Sequence, residues 1–592
     1  MNYTATPLWD LSPIYGSLTS EEYRKDLESI DMLYHLLKKE LDAFNVTEEH
    51  LMRLLETYGN LSDTHETLDA YVHACLSVET TGAAAVQGIH DVARKGLLVK
   101  KGRTEMVLAI APHAQEIESL ISHSTVLEPF TYAISQLLLE ASHLMAPQEE
   151  ALAYALQTTG ADAFSRLQEV ITSTSSIQWD ESGETKTLTE LRALAFHPER
   201  EVRQKAYRKE LDLLKSEELP LSFALNGVKG TALTLYKKRR YPDALSCALD
   251  ASRITSGVLT SLISSIEQRM SVFNRYFKAK AHLLGLPVLS FYDLFAPVGT
   301  YEKNYTFIEA REIIISALGS FHRPMGEAAR YAFENGWIDA SIRPGKVGGA
   351  FCTFFPLRKE SRILCNYDGS FDALSTIAHE LGHAYHDAQV KDLPSVNRAY
   401  PMTLAETASI FSQFIIFNET RRATEGEQRL SLLDSFLQDA SQVCVDILSR
   451  FYFEQALFNV VATGEASADD LNEMMESAQK RAYGDGLNPQ ELHRYMWAVK
   501  GHYYSADLPF YNYPYAFGQL FALGLYREYE KDPEGFPHRF DVLLSYSGQA
   551  DASRVTDTVG CDIRTPAFWL ESLDVIERYV DEFAALAGYG AS

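Results

Sequence analysis

Cysteine is scarce in this 592-residue chain. The six present, Cys75, Cys247, Cys352, Cys365, Cys444 and Cys561, form no CxxC pair. That spacing excludes a zinc ribbon and argues against a disulfide framework, and it predicts reduced thiols in a cytoplasmic protein. Positive charge is also short: 54 Lys and Arg stand against 80 Asp and Glu, for a net charge of -26. Without a basic stripe the chain lacks what phosphate backbones require, so no nucleic-acid partner is expected. No run approaches the roughly 20 apolar residues of a membrane helix, so no membrane partner is expected either. The opening MNYTATPLWDLSPIYG has neither a basic segment nor an apolar one, which predicts no secretory signal.

What the sequence does have is helical periodicity. Tyr23, Leu27, Ile30, Tyr34, Leu37, Leu41 and Phe44 recur at spacings of four and three, one apolar stripe. Thr19 with Glu22 offers a capping box at its start. Similar patterns fill most of residues 45 to 290. Ser467 and Asp470 mark the start of a late helix, which the Gly-rich YGDGLNP stops. The exception is GKVGGAFCTFFPLRKESRILCNYDGS, residues 345 to 370. Here two β-like runs, GAFCTFF and RILCNY, flank the polar turn PLRKES, and a hairpin is predicted.

Directly after the hairpin comes STIAHELGHAYHDAQV. His379-Glu380-Leu381-Gly382-His383 is an HExxH pattern. On a helix the two histidines lie about 40° apart, one turn along a common face, so both imidazoles can reach one ion. Glu380 sits slightly around the helix, where it can hold a water rather than the metal. Catalytic zinc commonly takes three protein ligands and keeps an open position. His386 shares the face but lies about 10 Å along the axis from His379, too far for a common ion. It is read as a residue of the cleft wall, and Asp387 as an orienting group at most. Glu406, in YPMTLAETASIFSQF, starts a helix after a loop long enough to reverse direction. Spacing leaves it balanced between a third ligand and a carboxylate favoured by the helix N-terminus. Gly382 costs its helix about 1 kcal/mol relative to Ala, a cost that either tight packing or close approach of a substrate explains.

These motifs resemble the zinc oligopeptidases of the thimet oligopeptidase and oligoendopeptidase F type, the latter most. TIAHELGHAYH is similar to the HExGH helix of that family, and LAETASIF to its Glu-x-x-Ser helix. GHYYSADLPFYNYPYAFG is similar to its His- and Tyr-rich segment, and WDLSPIY and TPAFWLESLDVIERYVDEF to its two ends. The resemblance implies a mainly α, zincin-like fold: a two-lobed helical ellipsoid with a deep active-site channel and a small hairpin sheet beside the HExxH helix. An N-terminal helical lobe, residues 1–200, and a catalytic domain, residues 201–592, are expected. The resemblance also implies a zinc-dependent endopeptidase that hydrolyses internal bonds of short oligopeptides. One Zn²⁺ per chain would sit on His379, His383 and Glu406, with Glu380 as general base. His502 with Tyr511 or Tyr515 would act on the oxyanion, Tyr513 being a further candidate, while Tyr503 and Tyr504 are read as core. Gly348, Gly349 and Ala350 would let substrate approach the hairpin edge. Two other readings are a zinc carboxypeptidase on a similar scaffold and a peptide-binding relative without chemistry. The intact Glu380 argues against the latter.

Overall fold

The computed structural model describes residues 6–301 and 303–590. Helices dominate it, and two small sheets account for the strands. The chain begins with α1 (Glu21–Asp42), α2 (Glu48–Val78) and α3 (Ala83–Ile110), which pack on one another. In α1 the stripe buries Tyr23, Ile30, Tyr34 and Leu37. The cap differs by one residue from the prediction: Ser20, not Thr19, precedes the helix, and its side chain accepts from the Tyr23 N–H. A short hairpin, β1 (Ser176–Gln178) and β2 (Thr185–Thr187), precedes the 39-residue α4 (Arg200–Lys238).

α5 (Phe307–Phe321) leads towards the second sheet, formed by β3 (Ile338–Asp339), β4 (Phe351–Phe355) and β5 (Glu360–Leu364). β4 and β5 are the predicted hairpin, antiparallel with Phe351 opposite Leu364 and Phe355 opposite Glu360. β3 pairs parallel to β5, an addition the sequence pattern did not announce. The order β3–β5–β4 leaves β4 at the edge.

Next come α6 (Phe371–Val390), α7 (Thr407–Arg422), α8 (Ala468–Tyr483), α9 (Tyr513–Lys531) and α10 (Phe536–Tyr546). α8 starts as predicted: Ser467 and Asp470 form a reciprocal capping box, and Gly484, at φ +55°, ends it. No described helix is long and apolar enough to cross a membrane.

By contacts the chain divides into two compact units, each drawn from three stretches. One holds residues 1–143, 303–420 and 528–561; the other holds 144–302, 421–527 and 562–592. The division at residue 200 does not coincide with these boundaries. The first unit contains the three-stranded sheet with α6 and α7, and α6 packs on β4, β5 and α10. The second contains α4, α8 and α9 as far as Arg527.

Candidate metal centre and the His–Tyr segment

α6 begins at Ser370, whose side chain accepts from the Ala373 N–H. Its apolar face buries Leu374, Ile377, Ala378 and Leu381, which fixes the rotation of the helix against the sheet. His379 and His383 then emerge side by side, with ring centroids 4.8 Å apart. Glu406 occupies a break between a short helical turn, Met402–Ala405, and the first residue of α7. The N-terminus of α7 favours a negative charge at that point. The Ser409 hydroxyl, one turn on, donates to Glu406 Oε2 at 2.7 Å.

Three donor atoms converge. His379 Nε2 lies 3.2 Å from His383 Nε2 and 3.2 Å from Glu406 Oε2, and His383 Nε2 lies 3.5 Å from the same oxygen. Nitrogen and oxygen ligands about 2.0–2.2 Å from a tetrahedral zinc stand about 3.3–3.6 Å from one another. The triangle therefore fits a zinc ion without rearrangement. Gln413 Oε1, on α7, accepts from His379 Nδ1 at 2.8 Å, which leaves Nε2 with its lone pair free for a metal. Burial works to raise the Glu406 pKa, but hydrogen bonds from His379 and His383 outweigh it and hold the carboxylate well below its usual range. Burial likewise works to lower the His379 pKa, and the Glu406 carboxylate overrides it and raises it.

Gly382 has a definite role. A Cβ there would lie 2.5 Å from the Ala408 carbonyl oxygen and 2.6 Å from Ser409 Cα. Of the two explanations for this mid-helix glycine, packing is the one realised. The missing side chain lets α7 cross α6 at backbone contact, which brings Glu406 to the histidines.

Glu380 is 6% exposed and sits against β4. Burial raises its pKa above the usual glutamate value, while the two histidines and the Cys352 N–H oppose the rise. A buried carboxyl with an elevated pKa is suited to accepting a proton. His386 stacks on Tyr400, with centroids 4.0 Å apart, and its Nε2 bonds the Ser547 hydroxyl at 2.8 Å, so it belongs to the packing of the helix. Asp387 accepts from the Ser361 hydroxyl of β5 at 2.8 Å and ties α6 to the sheet.

The segment before β4 is open. A Cβ at Gly348 or Gly349 would meet nothing within 4 Å, and Gly349, at φ +79°, takes a conformation that glycine adopts without strain. Asn366 Nδ2 donates to the carbonyl oxygens of Val347 and Gly349 at 3.0 Å each, and so fixes the course of the chain into Ala350.

In the second unit, His502 lies in a 3₁₀ turn, Gly501–Tyr504, ahead of α9. Its ring stacks beside Tyr511, and the Tyr511 and Tyr515 hydroxyls meet at 2.5 Å. Tyr513 is separated from this pair, because its hydroxyl bonds Ser252 and the Ala248 carbonyl. Tyr503 and Tyr504 are fully buried core residues. The hydrogen bonds also define the tautomer of His502. Arg450 can only donate, so the Asn512 atom it meets at 3.1 Å is the oxygen. Asn512 Nδ2 therefore donates to His502 Nε2, at 2.8 Å, and the ring proton resides on Nδ1. Burial, reinforced by Arg450, Lys500 and Lys229, pushes the His502 pKa down to about 3, so the ring is neutral at ordinary pH.

Sequence reasoning passed over Gln413, Asn512 and Arg450. Ser409 was visible as the Ser of the Glu-x-x-Ser pattern. A second group of ligand-type side chains, His322, His538 and Asp541, also lies in the first unit. There the Asp541 oxygens are already engaged, by His322 at 2.8 Å and by the Tyr385 hydroxyl at 2.6 Å.

The model of Peptidase family M3 matches residues 193–575. Oligopeptidase PepF of Bacillus subtilis is 23% identical over 98% of this chain and 87% of its own length. A solved chain from Chlamydophila abortus superimposes with a TM-score of 0.83 at 21% identity, over 98% of both chains. Oligoendopeptidase-F from Enterococcus faecium does so with a TM-score of 0.68 at 17% identity, over 96% of this chain and 99% of that one. At those identities the structural likeness is one of fold, and that fold is mainly helical. The chain belongs to peptidase family M3.

Proposed function

We propose that the chain is a zinc-dependent endopeptidase that cuts internal bonds of short peptides. The observation that carries this reading is the triangle of His379 Nε2, His383 Nε2 and Glu406 Oε2, with buried Glu380 on the same helix. His379, His383 and Glu406 would hold one Zn²⁺. Bound there, zinc would polarise the scissile carbonyl and lower the pKa of water towards about 7. Glu380 accepts the proton of the attacking water and passes it to the departing amine. Its elevated pKa makes it a stronger base in the first half of that exchange than an ordinary glutamate. Neutral His502, with its proton on Nδ1, and Tyr511 or Tyr515 are the donors assigned to the oxyanion. The Tyr511–Tyr515 contact lets one hydroxyl accept from the other, which strengthens the accepting hydroxyl as a donor through its own proton.

Substrate binding is assigned to the edge of β4 and the open Gly348–Gly349–Ala350 approach. An extended peptide that pairs there uses backbone hydrogen bonds, which favours tolerance of side chains over strict sequence preference. The test is a quenched fluorescent peptide blocked at both ends, assayed together with metal analysis of the same sample. Internal cleavage that a chelator abolishes and zinc restores is the expected result. Cleavage confined to peptides with a free C-terminus would instead indicate a carboxypeptidase. Zinc binding without turnover would indicate a peptide-binding relative.

A further inference from the structure

A partly open pocket in the second unit, about 70 Å³ in volume, gathers more positive charge than it balances. Arg192, Arg450 and Lys500 line it, and Phe291, Leu294 and Phe295 form an apolar wall. Two of the cations have partners. Arg192 Nη1 meets Glu210 Oε1 at 2.5 Å, and Arg450 pairs with Asp446. The carboxylates are shared further, Glu210 with His493 at 3.0 Å and Asp446 with the Tyr483 hydroxyl at 3.3 Å. Lys500 is half-buried, yet its ammonium makes no hydrogen bond or ion pair among the described residues.

Three cations and two carboxylates leave one charge uncompensated beside a low-dielectric wall, where an unpaired charge is costly. Burial, with Arg450 and Arg192 adding repulsion, pulls the Lys500 pKa down to about 8. One wall is also irregular. Gln442 and Asp446 belong to a single π-helical turn, Gln442–Asp446, a distortion that recurs at functional sites.

We propose that this pocket is a binding site for a small monovalent anion, held by Lys500 between Arg450 and Arg192. Its volume admits a halide or a similarly small ion. The site is distinct from the metal centre and does not depend on the peptidase reading. It does connect to residues that reading uses. Arg450 Nη1 holds Asn512 Oδ1, and Asn512 holds His502 Nε2. An anion that partly neutralises Arg450 and Lys500 therefore acts on the field and the hydrogen-bond chain that keep His502 neutral.

The experiment is crystallography of the zinc-loaded protein in sodium bromide, with bromide as an anomalous scatterer. The expected result is an anomalous peak in the pocket, within contact distance of Lys500 Nζ, which chloride competes away. In crystals of Lys500→Met the peak is lost while bromide peaks elsewhere persist. No pocket peak in the wild type, or a pocket peak that survives Lys500→Met, would overturn the assignment. The wild-type result stands by itself should the variant fail to fold, and neither result depends on turnover.

Discussion

Two of the three converging donors, His379 and Glu406, are held by a neighbour that sets what they can do. Gln413 receives the Nδ1 proton of His379 and so aims Nε2 at the metal position. Removing such a partner typically weakens metal affinity 10–100-fold. Gln413→Ala is therefore expected to bind zinc about 10–100-fold more weakly, as read by competition with a chromogenic chelator, with helix content unchanged. An unaltered affinity would show that the contact does not orient the ring. Much of this scale was legible in the sequence. HELGH announces its own geometry because helical spacing is fixed, and His386 could be set aside by distance alone. Glu406 was undecided by spacing, since nothing local says where a loop returns. Gln413 and Asn512 were illegible for the same reason: amides are common on helices, and their roles arise from partners 34 and 10 residues away.

Elements transmit these placements through two contacts, one between helices and one between helix and sheet. At Gly382, α6 and α7 meet backbone to backbone. Gly382→Ala adds helix propensity of about 1 kcal/mol, but its Cβ collides with backbone atoms that cannot rotate aside. We expect net destabilisation of about 1–3 kcal/mol in urea unfolding, together with weakened zinc binding as Glu406 is displaced. A variant as stable as the wild type with full zinc affinity would contradict the packing role. Between α6 and β5, buried Asp387 accepts from Ser361. Burial lifts its pKa to about 6 from 3.8, against opposing effects of Ser361, His383 and Cys352. A carboxyl raised in the fold contributes stability that is full below 3.8 and is lost as pH rises through about 6. Asp387→Asn does not titrate, so its stability relative to the wild type should improve from pH 4 to pH 7 by about 2 kcal/mol, read by denaturant melts at both pH values. An unchanged difference would place the proton elsewhere. The hairpin β4–β5 and the capping box of α8 were readable because they depend on short-range patterns. β3 was not, because two residues have no period and its partner lies 25 residues on.

At the scale of the whole molecule the chain threads between its two compact units, so neither is a continuous stretch. No local signal marks such crossings, which is why the sequence suggested a boundary near residue 200. The contacts make that division testable: α2, from the first 143 residues, packs on β4 in the same unit. An isolated 201–592 fragment is therefore expected to bind zinc poorly and to melt without a cooperative transition, as read by circular dichroism and metal analysis. A fragment that folds cooperatively and holds one zinc would contradict the need for the N-terminal helices. The central claim joins one metal site to one base, and Glu380→Gln measures it most directly. The account predicts a protein that retains one zinc per chain and loses about 10²–10⁴-fold in kcat on a blocked peptide. Full activity in that variant, or loss of its zinc, would contradict it.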